Sequence, residues 1–110
     1  MKPLVLGLVL SLAATAATAE VAVPEKAAAC AACHGEGGAK PIAPTYPVLA
    51  GQYANYLEHS LHEYQDGRRK NAVMAAQAAA LSKQEIKALA RYFATQPGPL
   101  YTPTLVGTTN

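Results

Sequence analysis

Two cysteines and a histidine stand close together in this 110-residue chain, in the order Cys30-Ala31-Ala32-Cys33-His34. Two thiols at this spacing lie on one turn of a helix, where both can reach the two vinyl groups along one edge of a porphyrin. The imidazole that follows directly then lies beneath the ring and can bind its iron. The C-x-x-C-H spacing is therefore typical of covalent attachment of c-type haem.

Three other uses of a C-x-x-C pair have to be weighed against haem. A thioredoxin-like redox centre needs a βαβ context, which the sequence does not show. A structural disulfide across so short a closure would be strained and would constrain the unfolded chain little. A zinc site needs four ligands, and beyond Cys30, Cys33 and His34 no second C-x-x-C or H-x-x-x-H is present. Since the chain has only these two cysteines, haem attachment is the interpretation that the residues favour.

Residues 1–19 predict a cleaved secretory signal. Lys2 gives a positive start, an apolar run extends from Leu4 to Leu12, and small residues end at Ala19 before Glu20. The run is too short to span a bilayer comfortably, so no integral membrane span is expected after cleavage, although an uncleaved anchor is the alternative. Haem attachment of this type takes place outside the bacterial cytoplasm, so a periplasmic location agrees with the motif.

Cleavage after Ala19 leaves 91 of the 110 residues, which is one small domain near the size where a core needs help. We expect that domain over residues 20–96, with a Pro-, Thr- and Gly-rich tail over 97–110 that is loosely held. Without Lys2, eight basic residues face seven acidic ones, and this balance gives no sign of nucleic-acid binding. No internal repeat is visible, so one haem is expected.

The predicted fold is all-α, with three to five short helices around the haem. Alanine is abundant, and the alternation of apolar and polar residues that marks strands is nearly absent. Glycines and prolines over 35–51 predict an ordered loop rather than a helix. In the last helix, Ser82 and Glu85 form a capping box and Ile86, Leu89, Ala90 and Phe93 face inward. The expected helices run from Pro24 to the haem motif, from Gln52 to Asp66, from Ala75 to Leu81 and from Lys83 to about Gln96.

The second axial ligand of the iron decides what such a protein does. Met74 is the one methionine of the predicted mature chain, and it stands in a polar stretch just before a predicted helix. His59 and His62 are the competitors, but on a helix from Gln52 to Asp66 both point away from its apolar stripe. Met74 is therefore the predicted ligand, while an open iron position would instead indicate a gas-binding or sensor protein.

Six segments in order resemble the class I cytochromes c, above all the repeated domain of the bacterial di-haem cytochromes of the c-four type. The resemblance covers about residues 25–96. Its segments are Cys30–Gly35, Pro47–Gln52 with the sequence PVLAGQ, Tyr56-Leu57, Gly67–Arg69 followed by Met74, Leu81-Ser82 and Leu89–Phe93.

The resemblance implies a role for each matching residue. It implies that Cys30 and Cys33 carry the thioethers of one haem c, and that His34 and Met74 are the axial iron ligands. Pro47 matches the proline whose carbonyl accepts a hydrogen bond from the proximal histidine. Gly51 and Gln52 match positions where the chain turns close to the haem. Arg68 and Asn71 match positions near the haem edge or the methionine loop, where they would contact a haem carboxylate or stabilise that loop.

The resemblance also implies a periplasmic monohaem cytochrome that carries single electrons between a donor and an acceptor redox protein, rather than an enzyme. The alternative is a cytochrome subunit of a periplasmic oxidoreductase complex. Well-known members of the family carry two such domains, whereas this chain carries one, so a monomer or a weak homodimer is expected.

Overall fold

Four α-helices make up the domain. The computed structural model describes residues 21–103 together with Met1, Pro3 and Ala14, and this part contains no strand. The helices are α1 (Ala27–His34), α2 (Ala54–Asp66), α3 (Ala72–Ala79) and α4 (Lys83–Ala94). The predicted all-α class is thereby confirmed. The predicted signal over 1–19 falls outside the continuous described segment, and none of the described helices is long and apolar enough to cross a membrane.

Helix α4 follows its sequence prediction closely. The hydroxyl of Ser82 accepts a hydrogen bond from the Glu85 amide at 3.1 Å, and the Glu85 carboxylate accepts one from the Ser82 amide at 2.7 Å. These two bonds are the reciprocal pair of a capping box, which satisfies donors that the first turn of a helix leaves unpaired. The predicted inward-facing residues of α4 are all buried, and they are Ile86, Leu89, Ala90 and Phe93.

The hydrophobic core is small and joins both ends of the domain. Ala27 from α1 and Leu57 from α2 pack in one cluster with Leu89, Ala90 and Phe93 from α4. Beside this cluster, Nζ of Lys26 lies 2.9 Å from Oε1 of Glu85. The hydrogen bond from the Ser82 amide and, after it, the Lys26 contact lower the pKa of Glu85. The start of α1 is therefore fixed to the start of α4 by packing and by charge.

Helix α2 turns the predicted face inward, but only the middle of that face is fully buried. The predicted stripe of Tyr53, Tyr56, Leu57, Leu61 and Tyr64 is centred near Ser60, and the buried residues of α2 are Leu57 and Ser60. Tyr53 is 37% exposed and Tyr56 is 46% exposed. A tyrosine can lie at the edge of a buried face because its hydroxyl stays near water, so the aromatic pattern overstated the width of the core face.

Helix α3 begins earlier than predicted and contains Met74. The expected helix started at Ala75, after the methionine, whereas α3 starts at Ala72. Asn71 is extended, and its side-chain oxygen accepts a hydrogen bond from the Met74 amide at 3.0 Å. Asparagine is a favoured N-cap because this bond replaces a missing intrahelical one, which explains why the helix starts directly after Asn71.

The segment between α1 and α2 is an ordered loop, as predicted, with one short 3-10 turn over Glu36–Gly38. The carbonyl oxygen of Gly38 accepts hydrogen bonds from the amides of Leu49 and Ala50, at 2.8 and 3.1 Å. The amide of Gly51 in turn donates to the carbonyl of Phe93 at 3.1 Å, so the far end of the loop is bound to α4.

The first part of the tail contacts the domain at two points, although residues 97–101 and 103 are exposed. The hydroxyl of Tyr53 donates a hydrogen bond to the carbonyl of Pro103 at 3.1 Å. The Leu100 carbonyl lies so close to Gly51 that a Cβ built there would stand 2.6 Å from its oxygen. Residues 104–110 lie outside the described part of the chain.

We expect Gly51→Ala to destabilise the protein by more than Gly67→Ala does. Both glycines have left-handed backbone, with φ of +77° and +80°, so alanine strains each of them by roughly 1 kcal/mol. At Gly67 nothing lies within 4 Å of the added Cβ, whereas at Gly51 it meets the Leu100 carbonyl. Urea unfolding of both variants measures the difference, and equal losses of stability would contradict the packed position of the tail.

Candidate functional site

A cleft of about 370 Å³ opens between the helices, and it brings together all four residues predicted to hold the haem. Cys30, Cys33 and His34 line it from α1, and Met74 lines it from α3. The volume lies within the range usual for sites that bind small organic molecules, about 300–1,000 Å³. Much of the remaining lining is apolar or aromatic, including Leu57, Leu61 and Phe93.

Helix α1 presents the two thiols one turn apart. Both cysteines are half-buried free thiols, and Cys30 packs against the core cluster. Burial raises the pKa of the Cys30 thiol, partly offset by a hydrogen bond with the backbone. The helix ends at His34 because Gly35 adopts φ +84° and leaves the helical path. The histidine is thus held at the last position of a rigid turn that starts at the first cysteine.

His34 is buried, with 5% of its surface exposed, and the loop fixes its ring. Its Nδ1 lies 2.7 Å from the carbonyl oxygen of Pro47. A carbonyl can only accept, so Nδ1 carries the proton, and Nε2 is then the nitrogen with a lone pair available to a metal. The ring edge of Tyr46 packs nearby, with ring centroids 6.0 Å apart. This tautomer is the one that an axial iron ligand requires.

Met74 is half-buried in the first turn of α3 and offers a thioether sulfur to the cleft. The Asn71 cap described above fixes the backbone at this residue. Neither competing histidine lines the cleft. His59 pairs with Glu63 at 3.2 Å, and Nδ1 of His62 lies 3.3 Å from the Gln65 side chain. The two histidines are thus placed away from the cleft, as the helical-wheel argument predicted.

The arginine that lines the cleft is Arg69, not the predicted Arg68. Arg68 points away and pairs with Asp66 at 2.7 Å, and its hydrogen bonds lower the pKa of that carboxyl. The guanidinium of Arg69 lies over the rings of Tyr56 and Tyr64, 5.7 and 5.6 Å from their centroids. Its Nε also donates to Glu63 at 3.3 Å. The turn at Gly67 favours this outcome because Arg68 folds back onto the preceding carboxylate.

Most of the remaining predicted positions line the cleft, and one lies outside its lining. Pro47, Gln52 and Asn71 line the cleft, whereas Gly51 lies outside the lining, in the turn that holds the tail. Ser60, which the sequence did not single out as functional, also lines the cleft and is buried. A serine between apolar residues on a helix gives little sequence signal, because the same residue type is common on exposed helix faces.

The donor set of the cleft fits a c-type haem. Two thiols at the required spacing, a buried imidazole with the right tautomer and a thioether meet in a largely apolar cleft. In the described part of the chain, no group of three or more His, Cys, Asp or Glu side chains could hold a lone metal ion.

Comparison with known proteins gives a consistent match. Residues 25–97 match the family described as cytochrome c. The chain is 44% identical over 75 residues to cytochrome c-554(548) of Halomonas halodenitrificans, which covers 66% of this chain and 89% of that protein. It is 41% identical over 100 residues to cytochrome c4 of Pseudomonas aeruginosa, which covers 87% of this chain and 49% of that protein.

A further relative is the thiosulfate dehydrogenase electron acceptor of Thiomonas intermedia. It is 43% identical over 86 residues, which is 74% of this chain and 40% of that protein. The chain therefore spans about half or less of the length of this relative and of the cytochrome c4, and nearly the whole length of the Halomonas protein.

We expect Asn71→Ala to reduce stability by about 1 kcal/mol, because the substitution removes the N-cap of α3. Asn71→Ser keeps an oxygen that can accept from the Met74 amide and should lose much less. Denaturant unfolding of the two variants against the parent protein measures both values. Equal losses would mean that the cap is not what fixes the start of α3.

Proposed function

Because this chain belongs to the cytochrome c family, we propose that His34 and Met74 are the axial ligands of its haem iron. The protein is a monohaem electron carrier with one covalently bound haem c. Cys30 and Cys33 are the proposed thioether positions, since they are the only thiols of the chain and line the same cleft as the two ligands. The meeting of these four side chains in one apolar cleft is the observation that carries the proposal.

The chain's own residues set the conditions for electron transfer. The haem supplies the one-electron chemistry, as its iron changes between the ferric and ferrous states. Pro47 holds the proximal imidazole in one orientation and increases its basicity through the 2.7 Å hydrogen bond. A methionine sulfur as the second ligand favours a raised reduction potential. The apolar lining excludes water, which also favours the less charged ferrous site.

We propose Arg69, rather than Arg68, as the positive charge beside the haem carboxylates. Its place between the two tyrosine rings and Glu63 keeps the guanidinium at the cleft, where Arg68 does not reach. An arginine suits carboxylates because its planar donors can form two parallel hydrogen bonds. Asn71 and Gln52 support the site in different ways, since Asn71 caps the helix of Met74 while Gln52 lines the cleft.

We place this carrier in the periplasm, in a mature form that begins near Glu20. The support is the sequence of residues 1–19, which has the charge, apolar run and small residues of a secretory signal. The domain is then expected over residues 20–96, with the tail beyond it partly bound through Tyr53.

Substitution of Met74 tests the ligand proposal directly. Met74→Leu keeps a similar volume, but it should abolish the weak far-red band of a methionine-bound ferric haem. It should also give a high-spin ferric spectrum, rapid binding of carbon monoxide by the reduced protein, and a lower reduction potential, because no sulfur donor remains. Optical spectra and redox titration of exported, haem-loaded protein measure these changes.

The matched control for this experiment is Gln77→Leu, which alters another residue of α3 that lines the same cleft. It should leave the far-red band in place. If Met74→Leu and the parent protein had the same spectrum and potential, Met74 would be only a packing residue.

The second candidate function is that of a cytochrome subunit held by a periplasmic oxidoreductase. Two relatives named thiosulfate dehydrogenase electron acceptor, at 43% and 40% identity, favour an oxidoreductase as the electron donor. A free carrier forms short-lived complexes through a small surface, whereas a subunit is held through a larger and more apolar one.

We expect the haem absorbance of a periplasmic extract to elute from a size-exclusion column at the mass of the single domain. Elution at low and at high salt provides the control, because salt breaks weak charge-steered contacts first. Co-elution of the haem with a larger chain at both salt concentrations would favour the subunit over the free carrier.

A further inference from the structure

Helix α3, which carries Met74, is held weakly by its own residues. It has eight residues, whereas an isolated helix of fewer than about 12–15 residues is only marginally stable in water. Ala78 is its one fully buried residue, so packing adds little. The helix is followed by Ala80 at φ −85°, so it lacks the left-handed residue that commonly caps a helix at this end. Contacts from outside α3 therefore have to fix its position.

The C-terminal end of α3 is capped by a side chain of α2. Nε2 of Gln65 donates to the carbonyls of Ala78 and Leu81, each at 2.8 Å. An amide nitrogen carries two protons, so it can serve both carbonyls at once. The last carbonyls of a helix have no partner in the next turn, and these two bonds compensate for that loss. Lys26 adds a third donor nearby, with its Nζ 3.0 Å from the Ala80 carbonyl.

Gln65 is well placed to fix α3 because it belongs to the helix against which α3 packs. It lies in the last turn of α2, and Nδ1 of His62 lies 3.3 Å from its Oε1, so the amide oxygen also has a partner within α2 itself. At the other end of α3, the Asn71 cap fixes the first turn. The helix that carries Met74 is thus held at each end by an amide side chain, and the Gln65 end joins it to α2.

We propose that Gln65 is a positioning residue for Met74, because its two hydrogen bonds keep α3 against α2 and so keep the thioether sulfur at the iron. This inference rests on the proposed ligation of the iron by Met74. A helix that detaches by local opening takes its side chains with it, and the free energy of this opening depends on the contacts that break. The hydrogen bonds of Gln65 are among these contacts. They act through the position of the α3 backbone and not on the sulfur itself.

The experiment measures how fast carbon monoxide binds to the reduced, haem-loaded protein. Carbon monoxide binds only when Met74 has left the iron, so its binding rate reports how often α3 opens. Gln65→Leu removes both hydrogen bonds, and the rate should rise about tenfold, because each such bond contributes modestly to stability. The amide protons of α3 should exchange with solvent faster by a similar factor. The far-red band should persist, because α3 remains closed most of the time.

The matched control is Gln96→Leu. Nε2 of Gln96 also donates to a carbonyl near the end of a helix, that of Tyr92 in α4 at 3.0 Å, but α4 carries neither proposed iron ligand. This variant should lose stability in urea unfolding without a change in the rate of carbon monoxide binding. A rate that responds to Gln65→Leu alone would therefore support a specific effect on the Met74 ligand.

Three results would overturn the inference. An equal change in rate for the two variants, or no change in either, would mean that Gln65 contributes only to general stability. Faster exchange of the α3 amides in Gln65→Leu, with an unchanged rate of carbon monoxide binding, would mean that Gln65 holds the helix but does not position the sulfur. Absence of the far-red band from the parent protein would refute the ligation by Met74 itself, which separates failure of the proposed function from failure of this inference alone.

Discussion

The hydrogen bond from His34 to the Pro47 carbonyl is the contact on which the site depends. It joins the end of α1 to a loop with little regular structure, and it fixes both the orientation and the tautomer of a buried imidazole. Proline suits the acceptor position because its ring restricts φ and its nitrogen carries no proton. Further hydrogen bonds hold this loop in place. The Gly38 carbonyl accepts from the amides of Leu49 and Ala50, and the Gly51 amide donates to the Phe93 carbonyl of α4. The dihedral angles of the loop are irregular, but its hydrogen bonds hold it in one position. A metal ligand requires such a fixed support.

The rest of the domain packs around the haem cleft. Five side chains form the core cluster, and the adjoining cleft is lined by residues of the same helices, including Leu57, Leu89 and Phe93. These residues therefore contribute to the core on one side and to the haem environment on the other. A domain of this size buries a smaller share of its surface on folding than a larger domain does. The apolar area of a bound haem supplies contacts that the polypeptide by itself does not have.

The sequence predicted the parts of the fold in which local chemistry and tertiary packing agree. Helix α4 is the best case, because the Ser82–Glu85 capping box and a regular apolar face both mark it. Helix α3 starts three residues before its predicted start, because Asn71 caps it. The sequence does not show that Arg69 rather than Arg68 lines the cleft, because the two adjacent arginines look alike, and only the turn at Gly67 and the ring faces of Tyr56 and Tyr64 separate them. The contacts of the tail with Tyr53 and Gly51 could not be predicted from the sequence, because single backbone contacts leave no periodic pattern of residues.

The contact between Lys26 and Glu85 bears on the order in which parts of the chain fold. The two residues are separated by 59 positions, and the core cluster likewise unites Ala27 with residues of α4. Contacts so distant in sequence form only after a large loop has closed, and such closure is entropically costly. Cys30 lies in α1 and packs against this cluster, so its surroundings are complete only when α4, the last of the described helices, has docked.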